Sequence, residues 1–199
     1  MSRYTGSIYK KSRRLGFSLL ENDKEFSKGK KRTTPPGQHG TRRRKISGYG
    51  EQLQEKQKLM FLYGLNDRQF RRLFQIARKR GGVLTLDLLQ VLESRLDSLV
   101  FRMGLAPTRR AARQLVNHGH ILVDGKKCDI PSRIIELNSV ITVKDKSKKL
   151  ISTEAMLIAK FVEVDKDKLI GKFNRYPERK ELPENINESY VVEWYKRMV

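Results

Sequence analysis

SRLDSLVFRMGLAPTRRAARQLVNHGHILVDGKKC, residues 94–128, decides how the rest of this 199-residue chain is read. Its pattern predicts two short helices, a tight break and a β-hairpin. In the second helix, at about 100° per residue, Ala111, Ala112, Leu115 and Val116 share one stripe. Arg109, Arg110, Arg113 and Asn117 share another, roughly 140° away. One face can bury itself while the other presents three guanidinium forks. Such a face suits phosphate, because arginine pairs bidentately with its oxygens. Gly104 stops the first helix, Thr108 can cap the second and Gly119 ends it. Residues 120–123 are strand-like, Asp124 and Gly125 form a hairpin turn, and residues 126–130 return.

Charge gives this stretch its meaning. The chain carries 43 lysines and arginines against 22 aspartates and glutamates, a net charge of +21. Self-repulsion on that scale strains a free protein unless a polyanion neutralises it, and nucleic acid is the strongest candidate. No long amphipathic helix with a basic rim is visible, no apolar run approaches a membrane span, and no signal-peptide pattern is seen, so a membrane is not expected as a partner. One cysteine, Cys128, allows neither a disulfide framework nor a multi-thiolate zinc site. Catalytic constellations are absent: no phosphate-loop motif occurs, and His39, His118 and His120 lack thiolates or convergent carboxylates. The expectation is therefore no enzyme, no cofactor, no metal and no small-molecule substrate. Asp97 is expected to pair with a neighbouring arginine or to cap locally rather than to act chemically.

Residues 1–50 hold 14 basic and 3 acidic side chains, so more than half of the net charge lies in the first quarter. KKSRR (10–14), KGKKR (28–32) and RRRK (42–45) alternate with the turn formers Pro35, Pro36, Gly37 and Gly40. Little regular structure is expected here in isolation, and the arm should order on nucleic acid. Tyr4, Tyr9, Phe17, Phe26 and Tyr49 are interspersed, which permits base stacking or local packing.

Residues 51–63 read as a helix ending at Gly64. Asn66 and Gln69 then form a capping-box-like start to a helix with Phe70, Leu73, Phe74 and Ala77 at core spacing. A third helix begins near Thr85, and its apolar stripe runs from Leu88 to Met103, so a long or kinked helix is expected to cross a domain boundary near residue 93. Residues 140–143 form another strand, 144–149 a charged loop, and 161–164 with 169–173 a second hairpin. Residues 174–185 are extended. The tail, 190–198, is a helix with Val191, Trp194, Tyr195 and Met198 at helical spacing, too short to stand alone, so it must dock, with the first helical domain as host.

RLDSLVFRMGLAPTRRAARQLVNHGHILVDGKK (95–127) resembles the RNA-binding module named after the fourth small-subunit ribosomal protein. The same module occurs in some pseudouridine synthases and tyrosyl-tRNA synthetases. SRRLG (12–16), PGQHG (36–40), YGEQLQEKQKL (49–59), YGLNDRQFR (63–71) and the tail pattern PER-x-x-L-x-x-x-INE-x-x-VVE (177–193) narrow it to the bacterial ribosomal protein family itself. The resemblance covers essentially the whole chain. It implies an α+β fold: a basic N-terminal arm (1–48), a helical domain (49–93), the two-helix module on a small, mainly antiparallel sheet (94–175), and a tail and helix returning to the helical domain (176–199). It implies a structural constituent of the small subunit, located in the cytoplasm, that binds 16S rRNA at a multi-helix junction of the 5′ domain and nucleates assembly of the subunit body. It further implies contact with the fifth small-subunit ribosomal protein, a contribution to translational accuracy, and proximity to mRNA where it enters, with Arg42, Arg43, Arg44 and Lys45 matching that role.

Two departures stand out. Many family members build an N-terminal zinc site on cysteines, and here no cysteine precedes position 128. Pro107 stands where close relatives often have arginine, which removes a phosphate contact and stiffens the approach to the helix. The residues expected to touch RNA are Arg3, Lys10, Lys11, Arg13, Arg14, Arg42, Arg43, Arg44, Lys45, Lys56, Lys58, Arg68, Arg71, Arg72, Arg109, Arg110, Arg113, Asn117 and His118. The mechanism is a clamp on RNA shape, with basic side chains neutralising phosphates where helices converge. The alternatives are an RNA-modifying enzyme or a ribosome-associated factor carrying the same module.

Overall fold

The computed structural model describes residues 4–22, 26, 33–40, 45–151, 158–183 and 185–197. In chain order the helices are α1 (Ile8–Leu15), α2 (Gly48–Leu62), α3 (Asp67–Arg80), α4 (Leu84–Glu93), α5 (Leu96–Arg102), α6 (Arg109–Asn117) and α7 (Glu188–Lys196). The strands are β1 (Ile121–Val123), β2 (Lys126–Lys127), β3 (Val140–Val143), β4 (Val162–Asp165) and β5 (Ile170–Phe173). They form one antiparallel sheet in the order β2-β1-β3-β5-β4, and the class is the expected α+β. Two compact units result. One joins both chain ends, Met1–Phe74 and Pro183–Val199; the other is continuous, Gln75–Leu182.

In the first unit Ser47 caps α2, its Oγ accepting the Gly50 N–H at 3.2 Å. Asn66 and Gln69 exchange two hydrogen bonds at the start of α3, at 3.2 and 2.9 Å, the reciprocal box their spacing predicts. The tail helix docks as expected. Tyr195 stacks on Phe70 and Phe74, with ring centroids 5.8 and 4.6 Å away, and Trp194 lies 4.7 Å from Tyr49. Gln52 and Glu55 on α2 hold the Glu193 carboxylate and the Asn187 N–H.

The arm departs from the sequence expectation, because α1 is regular helix. Leu15, Phe17 and Leu19 are buried, and Ser12, fully buried, accepts the Leu19 N–H. Gly16 at φ 62° supplies the left-handed residue that stops the helix. Three apolar side chains thus anchor a segment whose composition reads as tail.

In the second unit α5 and α6 lie on the inner face of the sheet. Ile121, Val123, Ile141, Val143 and Phe173 are buried there with Leu99, Val100, Met103, Ala112 and Val116. Gly171 belongs to this face because any Cβ would run into the Met103 thioether. The β1–β2 turn has Asp124 and Gly125 at φ 49° and 76°, as a two-residue hairpin of this twist requires. Its return is shorter than residues 126–130: β2 is two residues long, though the Cys128 N–H still reaches the Ile121 carbonyl at 3.3 Å.

Two further expectations are corrected. The long third helix is broken at Ser94 and Arg95. There the segment 131–135 takes over the backbone bonding: Leu96 N–H donates to the Arg133 carbonyl at 2.9 Å, Asp97 N–H to Pro131 at 3.1 Å, and Ile135 N–H to Ser94 at 2.8 Å. An uninterrupted leucine stripe cannot reveal a break made by a distant loop. Residues 144–149 are not irregular either, since Asp145–Leu150 winds as a 3-10 helix with Ser147 buried.

Candidate nucleic-acid interface

The break between α4 and α5 leaves two carboxylates inside the second unit, and each gathers two arginines. Glu93, fully buried, accepts Arg102 at 2.6 Å and Arg109 at 3.1 Å. Asp97 accepts Arg95 at 2.9 Å and Arg113 at 2.6 Å and also receives the Ser98 N–H. The pairing expected of Asp97 is therefore present twice. Phe101 completes the first cluster, with the Arg109 and Arg102 guanidinium carbons 4.7 and 5.6 Å from its ring centroid.

This geometry revises the arginine face of α6. Arg113 is 8% exposed and its fork points at Asp97, so the helix does not present three guanidinium groups outward. A buried carboxylate sixteen residues away, on the preceding helix, outcompetes solvent, because an unpaired charge at that depth would be costly. Arg109 is held between Glu93 and Phe101. The outward residues are Arg110, Gln114, Asn117 and His118. Thr108 caps the helix as expected, its hydroxyl accepting the Ala111 N–H at 3.2 Å, and Pro107 is exposed just before it.

Lys126 and Lys127, which the sequence reading did not single out, border the C-terminal end of this face. The Lys127 side chain lies against Gly119, whose φ of 70° favours glycine. His120 Nδ1 meets the buried Ser147 hydroxyl at 2.8 Å, and the Lys144 N–H donates to the His120 carbonyl. These bonds set the 3-10 helix, with exposed Lys146 and Lys149, beside the end of α6. Lys148 beside Asp145 holds that exposed carboxyl below its ordinary range.

A second basic surface in this unit was also missed. Arg80, at the end of α3, lies over the Tyr176 ring at 5.2 Å. Arg175 binds Glu181 at 2.5 Å and holds its carboxyl below the usual glutamate range. Arg175, Tyr176 and Glu181 belong to the segment 174–182, which is not extended throughout as its Pro- and charge-rich composition suggested: Arg179–Glu181 winds as a 3-10 helix, its start closed by reciprocal bonds between Glu178 and Glu181.

In the first unit Lys10 and Arg14 are exposed on α1, with Arg13 half-buried. Lys11 places its ammonium 5.1 Å from the Tyr4 ring and 4.9 Å from Phe61. Lys45, Arg68, Arg71 and Arg72 are exposed. Lys56 and Lys58 have inward work instead. Lys56 is 7% exposed, paired with Asp67 at 2.6 Å and 4.9 Å from the Trp194 ring. Lys58 pairs with Glu55 at 2.6 Å, with both side chains largely covered. Arg3, Arg42, Arg43 and Arg44 lie outside the described residues. Among the described residues no three histidine, cysteine or acidic side chains converge as a metal site, and no helix is long and apolar enough to cross a membrane.

Known proteins resemble this chain along its whole length. The profile described as ribosomal protein S4/S9 N-terminal domain matches residues 3–93, and the S4 domain profile matches residues 94–141. Small ribosomal subunit protein uS4 of Ureaplasma urealyticum serovar 10 is 68% identical, covering 100% of both chains. The proteins of the same name from Ureaplasma parvum serovar 3 and Malacoplasma penetrans are 66% and 65% identical, again with 100% of both chains covered.

Proposed function

The chain belongs to the uS4 family of ribosomal proteins, and we propose from that membership that it binds 16S rRNA at a multi-helix junction of the 5′ domain and nucleates assembly of the small-subunit body. It is a structural constituent of the small ribosomal subunit and not an enzyme, and its place is in the cytoplasm within that subunit. The observation that carries the reading is the join of full-length identity with a net charge of +21.

The outward basic groups supply the mechanism. Lys10 and Arg14 on α1, Arg68, Arg71 and Arg72 on α3, and Arg110 on α6 neutralise phosphates where RNA helices meet and repel, and Asn117 and His118 at the end of α6 offer them hydrogen bonds. Arg109 and Arg113 act chiefly by fixing α6, and Lys56 and Lys58 by fixing α2. Bases contribute little to the duplex contacts, because A-form RNA offers side chains mainly backbone and minor-groove shape. Contact with the fifth small-subunit protein, a part in translational accuracy, and proximity of residues 42–45 to incoming mRNA complete the proposal.

Quantitative co-sedimentation tests it. The protein should remain at one copy per small subunit through high-salt washing. A substoichiometric protein that washes off would make it an associated factor. RNA crosslinks on purified subunits should fall in the 5′ domain of 16S rRNA; crosslinks confined elsewhere would refute the junction.

A further inference from the structure

Arg80 and Arg175 both meet the segment 174–182, but they use their guanidinium groups differently. Arg175 holds both oxygens of Glu181 and also donates to the Tyr176 carbonyl at 3.3 Å. Arg80, exposed in the last turn of α3, lies 5.2 Å from the Tyr176 ring centroid. Among the described residues nothing accepts its N–H groups and no carboxylate pairs with it.

The ring under Arg80 is itself fixed. Phe173 meets it edge-on at 5.7 Å, the Gln90 amide reaches the Pro177 carbonyl at 3.4 Å, and the Arg175–Glu181 pair spans the turn beyond. An arginine stacked on a fixed ring loses little freedom on binding, and its fork matches phosphate oxygens. A cation in the last turn of a helix can also serve merely to offset the helix dipole. That role needs charge alone, not a stacked fork with its donors unused.

The surroundings favour an anion. Lys180 is exposed on the 3-10 helix, and exposed Lys160 is near enough to act on the Glu181 carboxyl. The acidic groups are engaged: Glu178 and Glu181 close the start of that 3-10 helix, and Arg175 neutralises Glu181. Strand register separates this cluster from the lysines beside the end of α6. Phe173, which precedes the segment, pairs with Val162 and bonds Asn138 at one end of the sheet. The end of α6 leads through His120 to Ile121, which pairs with Val143 at the other end.

We propose that Arg80, stacked on Tyr176, grips a phosphate of the small-subunit RNA with its fork, while Lys160 and Lys180 raise the positive potential around it. The inference rests on the rRNA-binding reading above and adds to it a contact at the opposite end of the sheet from Lys146 and Lys149.

The full-length protein and a 5′-domain 16S rRNA fragment test it, with affinity measured across a range of salt. Arg80→Gln should weaken binding about tenfold and reduce the salt slope by about one unit, with the thermal unfolding midpoint unchanged. Arg80→Lys should keep the slope and lose about threefold in affinity, because an ammonium carries the charge without the fork. Tyr176→Leu should weaken the wild-type protein and leave Arg80→Gln almost unaffected, since the ring acts through the arginine. Wild-type affinity and slope in Arg80→Gln overturn the proposal, and so does a loss with an unchanged slope, which would make Arg80 structural. Arg80→Lys equal to wild type overturns the fork, and an equal loss from Tyr176→Leu in both backgrounds overturns the positioning by the ring. Failure of the wild-type protein to bind the fragment in a salt-dependent way would instead bring down the rRNA reading, and this inference with it.

Discussion

Helices α1 and α6 are both short, both carry clusters of basic residues and neither contains an acidic one, yet their charges meet different fates. On α1 Lys10 and Arg14 face solvent. On α6 Arg113 turns inward to Asp97, and Arg109 is shared between Glu93 and the Phe101 ring. What separates them is the neighbourhood. The break between helices α4 and α5 sets two carboxylates under α6, whereas the inner side of α1 carries Ser12 and Leu15, buried with the apolar residues that follow. An arginine stripe is thus either an interface or a piece of scaffolding, according to what lies beneath it.

The sharpest way to break this contrast is Asp97→Asn. It leaves the Arg95 and Arg113 guanidinium groups buried beside an amide, which should cost about 3–5 kcal/mol in denaturant unfolding. A loss below about 1 kcal/mol would mean that α6 holds its arginines as loosely as α1. Next in size, the pair Lys10→Gln and Arg14→Gln should reduce the salt slope of rRNA binding by about two units with stability within about 0.5 kcal/mol of wild type. Arg113→Gln should do the reverse, lowering stability first; a full unit of lost slope in a stably folded Arg113→Gln protein would restore it to the interface.

The caps refine the contrast at smaller scale. Thr108 bonds the Ala111 N–H, so Thr108→Ala should cost about 1 kcal/mol in thermal unfolding. Ser7 makes no such bond at the start of α1, and Ser7→Ala should change stability by only a few tenths of a kcal/mol. The smallest effect concerns an exposed pair set against the buried ones. Arg175 holds the Glu181 carboxyl below its ordinary range, so this pair's stabilisation is present above the carboxyl's unfolded pKa. It is lost as pH falls through the depressed folded value. Arg175→Gln should therefore raise the Glu181 pKa, read by NMR titration, and weaken the acid dependence of stability slightly.

Much of the site was visible in advance. Spacing alone located α6, its Thr108 cap, the Asn66–Gln69 box and the Asp124–Gly125 turn, because each depends on atoms within a few residues. The docking of α7 was legible too, since Trp194 and Tyr195 cannot remain in water on so short a helix. Regular helix at α1 was not, because three apolar residues were outweighed by charge and by the glycines and prolines beyond them. Nor was the break at Ser94, which is made by residues 131–135.

Composition and local pattern by themselves determined that this chain is a strongly cationic protein of mixed helices and strands, and the resemblance carried by its motifs added the RNA-binding module and the ribosomal family. Only the tertiary structure decided which cations are available. A charge count adds every lysine and arginine alike, but a buried carboxylate such as Glu93 or Asp97 acts across many residues of sequence. Pairing with it replaces water around a guanidinium that would otherwise stay at the surface.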